Sequence, residues 1–213
     1  SWDNISENKI NEIIETSIDF ILSDSKNKIF EDSAKNKFLL SNIKTTSRKT
    51  IQKLSEHIEA GKFTPIGFEV DFGLKSKLPP VIIELNDNSK LILTGKIDRI
   101  DIMTQDGKNY VKIIDYKTGK TDFDLFKVYY GLQLQLIIYI DSLIKKGQLI
   151  VGKDALPAGV FYFKIQDDTA DFKTSFAPEP EEIKEKIKEL FKMSGLAIKD
   201  LNVLQAIDKF NTG

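Results

Sequence analysis

The sequence predicts an α/β fold, one mixed β-sheet flanked by helices, on the strength of three observations. Apolar residues recur at helical spacing through the first 60 residues, and the period then switches to alternation over several β-branched and aromatic runs. A helix-length apolar run follows, and after it one more buried strand and an amphipathic helix, an order that describes an α/β or α+β domain.

Taken in order, Ile10, Ile13, Ile14, Ile18 and Ile21 define a helix from Ser6 to Leu22. Phe38, Ile43, Ile51, Leu54 and Ile58 carry the same spacing from Ser33 to Ala60, where Gly61 stops it. Ile66 to Phe72, Val81 to Leu85, Leu91 to Met103 and Tyr110 to Tyr116 read as strands. Turn residues Asn86-Asp87-Asn88 and Asp106-Gly107 lie between them, so the expectation is a β-meander of antiparallel hairpins. Leu125 to Lys146 is apolar nearly all round and reads as one helix buried on several sides. Pro157 to Ile165 reads as a buried strand, and Glu179 to Lys192 as an amphipathic helix with an acidic first turn. The expected division is a helical segment over residues 1–61 and a core with C-terminal helices over residues 62–213.

Composition narrows the function. The 213 residues, 41% hydrophobic and 30% charged, suit an ordinary globular domain with a real core. The longest apolar stretch, Leu134 to Ile140 and broken by Gln135, falls far short of the roughly 20 residues of a membrane span. No cysteine is present, which excludes disulfides, thiolate metal sites and an Fe–S cluster within this stretch and makes the cytoplasm the expected location. The start, Ser1-Trp2-Asp3, reads as that of an excised fragment. A formal net charge of -1 argues against a protein that coats nucleic acid, so any DNA contact must come from local patches. Only Arg48 and Arg99 are arginine, and Arg99 beside acidic residues is either a functional mark or a structural ion pair. No G-x-x-x-x-G-K-[ST] loop occurs, so ATP hydrolysis would belong to other sequence.

The chemistry concentrates in Gly95-Lys96-Ile97-Asp98-Arg99 and Ile113-Ile114-Asp115-Tyr116-Lys117-Thr118-Gly119. Residues two apart on a strand share a face, so Asp115 and Lys117 point the same way. A hairpin through Asp106-Gly107 permits Asp98 to lie across from Asp115, giving two carboxylates suited to a hard divalent cation. The lysine would then stabilise charge developing on a phosphate, against the plainer reading of a surface salt bridge. Gly95 interrupts a β-branched strand where a close approach is needed, and Gln133 and Gln135 sit in a run too apolar for unpaired amides.

These blocks resemble a known family. Gly95-x-x-Asp98, Asp115-x-Lys117 and Gln135-x-x-x-Tyr139 in that order are similar to the RecB-type branch of the PD-(D/E)XK nucleases. Tyr129-Tyr130-Gly131-Leu132, Leu156-Pro157-Ala158-Gly159-Val160 and Met193-Ser194-Gly195-Leu196 resemble the nuclease domain of AddB-type helicase-nuclease subunits, and the similarity runs from about Phe63 to Asp208. The resemblance implies a restriction-endonuclease-like core and a Mg²⁺-dependent deoxyribonuclease, with Mn²⁺ as alternative. It implies Asp98 and Asp115 as metal ligands, Lys117 as catalytic lysine, and Gln135 and Tyr139 as residues that brace the site and contact DNA. Glu69 stands where related nucleases place an upstream acid, the alternative being an exposed strand residue. DNA, an AddA-like helicase partner and the remainder of a longer chain are the implied partners, in double-strand-break end processing and recombinational repair.

Two departures qualify it. The Fe–S cysteines of the family are missing, and the upstream metal-ligand histidine has one candidate, His57, which also reads as a plain helix-surface residue. The rival expectation is a catalytically silent DNA-binding or subunit-docking domain of the same fold; Asp98, Asp115 and Lys117, all intact, speak against it.

Overall fold

The computed structural model of the protein describes residues 5–23, 33–119, 121–165, 189 and 191–210. They fall into two units, residues 1–59 with 165–192 and residues 60–164 with 193–213.

In the first unit, the Ser6 hydroxyl accepts the Lys9 amide and starts α1 (Glu7–Leu22). Ile10, Ile14 and Ile18, each one turn apart, form its buried stripe, with Leu40 and Ile51 of α2 (Ala34–Glu59) packed against them. Arg48 ties the two helices, donating from Nε to Asn11 Oδ1 at 2.5 Å.

The second unit carries the sheet. Its strands are β1 (Thr64–Phe72), β4 (Gly95–Gln105), β5 (Lys108–Lys117), β6 (Leu156–Lys164) and β7 (Ser194–Ala197), adjacent in that order, while β2 (Val81–Glu84) and β3 (Lys90–Leu93) pair only with each other. The neighbours are antiparallel except β5 and β6, which run parallel. A parallel pair needs a crossover, supplied by α3 (Leu125–Tyr129), α4 (Gln135–Lys146) and α5 (Gln148–Val151). The chain ends in α6 (Leu201–Ile207), capped by the Asp200 carboxylate.

Three expectations are corrected. Leu91 to Met103 is two strands separated at Thr94, because β3 closes a hairpin on β2 while β1 takes β4 as partner from Phe72 opposite Gly95 onward. The meander is therefore interrupted by a separate ribbon. Leu125 to Lys146 is two helices joined by a turn, and its first part is exposed where burial on several sides was expected. Its apolar character does not come from the core, since no residue of α3 is buried. The helix expected over Glu179 to Lys192 lies outside the described residues apart from Glu189, Phe191 and Lys192. β7 is an addition to the expected strands, and α6 lies where C-terminal helices were expected without bounds.

Asp106 (φ 51) and Gly107 (φ 72) make the tight β4–β5 turn, the left-handed pair a two-residue hairpin requires. On one face of the sheet, Val111, Ile113, Ile100 and Val160 meet Leu136, Tyr139 and Leu143 of α4. On the other, Met103 and Ala158 meet Val203 and Ala206 of α6. Among the described residues no helix is long and apolar enough to cross a membrane.

Candidate active site

The site forms where β4 and β5 part. Their ladder pairs Arg99 with Ile114, and Asp98 and Asp115 come next along each strand, beyond the last pair. Asp98 Oδ2 accepts the Tyr116 amide at 2.8 Å, so a carboxylate takes the place of a backbone partner in the fork between the strands. This fixes one oxygen of Asp98 and leaves the other for use.

On β5, Val111, Ile113, Asp115 and Lys117 alternate onto the face covered by α4. Asp115 is 1% exposed, and burial pushes its carboxyl above the ordinary range; the Lys117 ammonium opposes this and the charge of Asp98 reinforces it. Its Oδ2 lies 2.6 Å from Lys117 Nζ but has no hydrogen bond of good geometry. Lys117 Nζ also donates to Gln135 Oε1 at 2.9 Å and stands 5.3 Å from the centre of the Tyr162 ring. Gln135 Nε2 donates in turn to the Tyr139 hydroxyl at 2.8 Å. Gln135 and Tyr139, four apart on α4, thus share the face that looks onto the strand end.

Gly95 explains how Tyr139 is held. A Cβ there would stand 2.8 Å from Phe72 Cε1 and 3.6 Å from the Tyr139 hydroxyl, so the close approach is by Phe72, which packs edge-on against Tyr139 at 5.5 Å between ring centres. Gln133, partly buried between the exposed Leu132 and Leu134, accepts the Asp124 amide and donates to the Asp122 carbonyl, both at bond lengths below 3.0 Å.

Behind the fork, Arg99 proves to be a buried ion pair. Its Nε and Nη2 meet the two oxygens of Asp101 at 2.6 and 2.8 Å, and Lys112 Nζ adds a contact of 3.2 Å to the same carboxylate. Burial depresses the Lys112 pKa, with Asp101 working against the shift.

The structure brings together Asp98, Asp115, Lys117, Gln135 and Tyr139. Glu69 is not gathered in: at φ 50 the backbone is left-handed, and its carboxylate engages Lys96 at 3.2 Å on the surface. His57 lies in the last turn of α2, in the first unit, and its candidacy rests on the resemblance alone. Tyr162 is the neighbour that sequence reasoning missed; it pairs in register with Asp115 across the parallel β5–β6 ladder. Its signal was faint, one hydroxyl among the apolar residues that precede Lys164 in β6.

Asp98 and Asp115 offer hard oxygen donors, and the buried Asp115 Oδ2, with only an ammonium for a partner, fits a divalent cation. Among the described residues no third Asp, Glu or His joins them in a cluster able to hold a metal. Waters or substrate oxygens would complete such a shell.

Comparison with known proteins gives the family. The family model of the PD-(D/E)XK nuclease superfamily matches residues 7–208. The chain is 37% identical over 210 residues to the B subunit of the ATP-dependent helicase/deoxyribonuclease of Alkaliphilus metalliredigens (strain QYMF), covering 98% of this chain and 18% of that protein. The proteins of the same name from Clostridium novyi (strain NT), 38% identical over 98% of this chain, and Clostridium tetani (strain Massachusetts / E88), 36% over 100%, also exceed it about fivefold in length, the match covering 18% of each. With the acid–acid–lysine fork on β4 and β5 and a family match across nearly the whole chain, this protein belongs to the PD-(D/E)XK nuclease superfamily.

Proposed function

We propose that this chain is the nuclease part of a helicase-nuclease, acting as a Mg²⁺-dependent exonuclease that hydrolyses DNA phosphodiesters when double-strand-break ends are processed for recombinational repair. The observation that carries the reading is the convergence of Asp98, Asp115 and Lys117 where β4 and β5 part. The name that the relatives carry, a subunit of an ATP-dependent helicase/deoxyribonuclease, supports DNA as substrate and a helicase partner, and their greater length supports the remainder of a longer chain; that the partner is of the AddA type follows from the resemblance of the sequence blocks alone. The proposed location is the cytoplasm.

Asp98 and Asp115 would hold the cation, Mg²⁺ with Mn²⁺ as substitute, and Glu69 would join them on leaving Lys96. The cation, when bound, supplies Lewis acidity toward the phosphate and lowers the cost of deprotonating an attacking water. Asp98 is kept in place by the Tyr116 amide, so its free oxygen is pre-aimed. Lys117, freed from neutralising Asp115, would turn its ammonium to the phosphoryl oxygens, where charge grows in the transition state. Gln135 holds that ammonium within reach, and Tyr139 holds Gln135.

A catalytically silent docking domain is the second reading, favoured by the lack of a third ligand among the described residues. A titration of Mg²⁺ against cleavage of DNA separates the two. Cleavage by the wild-type chain should rise with Mg²⁺, Ca²⁺ should bind without supporting it, and Asp98→Ala should raise the Mg²⁺ requirement at least about tenfold. Equal Mg²⁺ dependence in both proteins would remove Asp98 from the site.

A further inference from the structure

Between β5 and α4, large apolar side chains lie uncovered. Phe126, Tyr129 and Tyr130 are 69, 82 and 59% exposed, and Leu132 77%. The rings contact each other, Tyr130 lying 4.6 Å from Phe126 and 5.2 Å from Tyr129 between centres. The segment that carries them is tied down. The Asp124 carboxylate caps α3 through the Phe126 and Lys127 amides, the Gln133 carboxamide clamps Asp122 and Asp124, and the Leu132 amide closes onto the Lys127 carbonyl at 2.8 Å. Rings held in this way cost little further ordering when a ligand arrives.

The segment that carries the cluster adjoins the site through Phe123. Phe123 packs on Tyr162 at 6.3 Å, and Tyr162 lies beneath Lys117 Nζ. Tyr130 is five residues from Gln135, a reach of at most about 18 Å. Lys127 is exposed on α3 as a cation beside the rings, and Asp122 is paired with Lys164.

We infer that Phe126, Tyr129 and Tyr130 form a stacking platform for the bases of single-stranded DNA beside the scissile phosphate. Base faces are covered by their neighbours in a duplex, so exposed rings select a strand whose bases are unstacked. The inference rests on the nuclease reading for its neighbour and adds to it the form of the substrate.

Fluorescence anisotropy in metal-free buffer tests it with three 20-unit probes: dT20, an abasic strand with the same phosphates, and a duplex. The wild-type chain should bind dT20 at least about fivefold more tightly than the abasic strand, the lower bound for one stacked base. Tyr129→Leu with Tyr130→Leu keeps the apolar bulk and removes the ring faces. It should cut the preference to what the remaining Phe126 ring supports, weakening dT20 about five- to 150-fold per base lost and leaving the abasic affinity and the salt dependence unchanged. Tyr129→Phe should bind as wild type. A wild-type chain indifferent to the bases overturns the proposal. So does a double variant that keeps the preference, the result expected if the rings cover another protein. No turnover is read, so loss of the nuclease reading would leave these affinities as they are, and failure here would leave Mg²⁺-dependent cleavage intact.

Discussion

Asp115 carries the largest conflict in the site, a carboxylate at 1% exposure with one ammonium for company. Burial raises its pKa above the unfolded value, so between the two values the native state holds more protons than the unfolded chain. Stability contributed by this group therefore falls as pH rises through that window, and the ionised form at neutral pH is a net cost. Without metal, Asp115→Asn should be more stable than wild type at pH 7, an advantage that shrinks as pH falls toward the ordinary carboxylate range. Thermal melts in EDTA across that range read the effect, and Mg²⁺ should stabilise the wild type alone. A variant less stable at every pH would show that the Lys117 pair outweighs burial. Asp101 is the opposite case, a buried carboxylate between two cations. Asp101→Asn leaves Arg99 and Lys112 uncompensated and should cost about 3–5 kcal/mol in denaturant unfolding, whereas a cost below about 1 kcal/mol would mean that water reaches the pair.

At the scale of elements, the site depends on one strand meeting one helix. Gly95 lets the Phe72 ring pass β4 and brace Tyr139, whose hydroxyl accepts from the Gln135 carboxamide that holds Lys117. Gly95→Ala puts a methyl 2.8 Å from that buried ring. Overpacking of this kind costs about 1–3 kcal/mol, and here it should also slow cleavage, since the displaced ring leads to Lys117. A melting temperature and a cleavage rate both at wild-type level would detach Gly95 from the site. The hairpin β4–β5 and its Asp106-Gly107 turn were legible because turn chemistry is local. The break at Thr94 was not, because Leu91 to Leu93 and Ile97 to Met103 both carry apolar strand formers and the two segments part by their partners, β2 for the first and β1 for the second. The α3–α4 break was hidden similarly: Leu125, Phe126 and Leu132 read as core, and periodicity cannot tell an apolar surface from an apolar interior.

For the whole molecule, spacing alone brought Asp98, Asp115 and Lys117 within reach, because a two-residue period and one hairpin determine their meeting. Tyr162 and the amide of Tyr116 enter through the parallel β6 and the splayed ladder, which no local pattern announces. The chain spans 18% of its curated relatives, so exposed apolar residues outside the platform, such as Ile82, Ile92 and Leu149, carry no assigned partner. What the chain contains is enough for the chemistry if the lysine acts in the transition state. Cleavage of DNA by Lys117→Ala, measured at saturating Mg²⁺ beside its DNA affinity and melting temperature, tests that most directly. The rate should fall by roughly 100-fold or more, the order expected when one preorganised electrostatic group is lost, with affinity and stability little changed. A variant that cuts DNA at the wild-type rate would contradict the account.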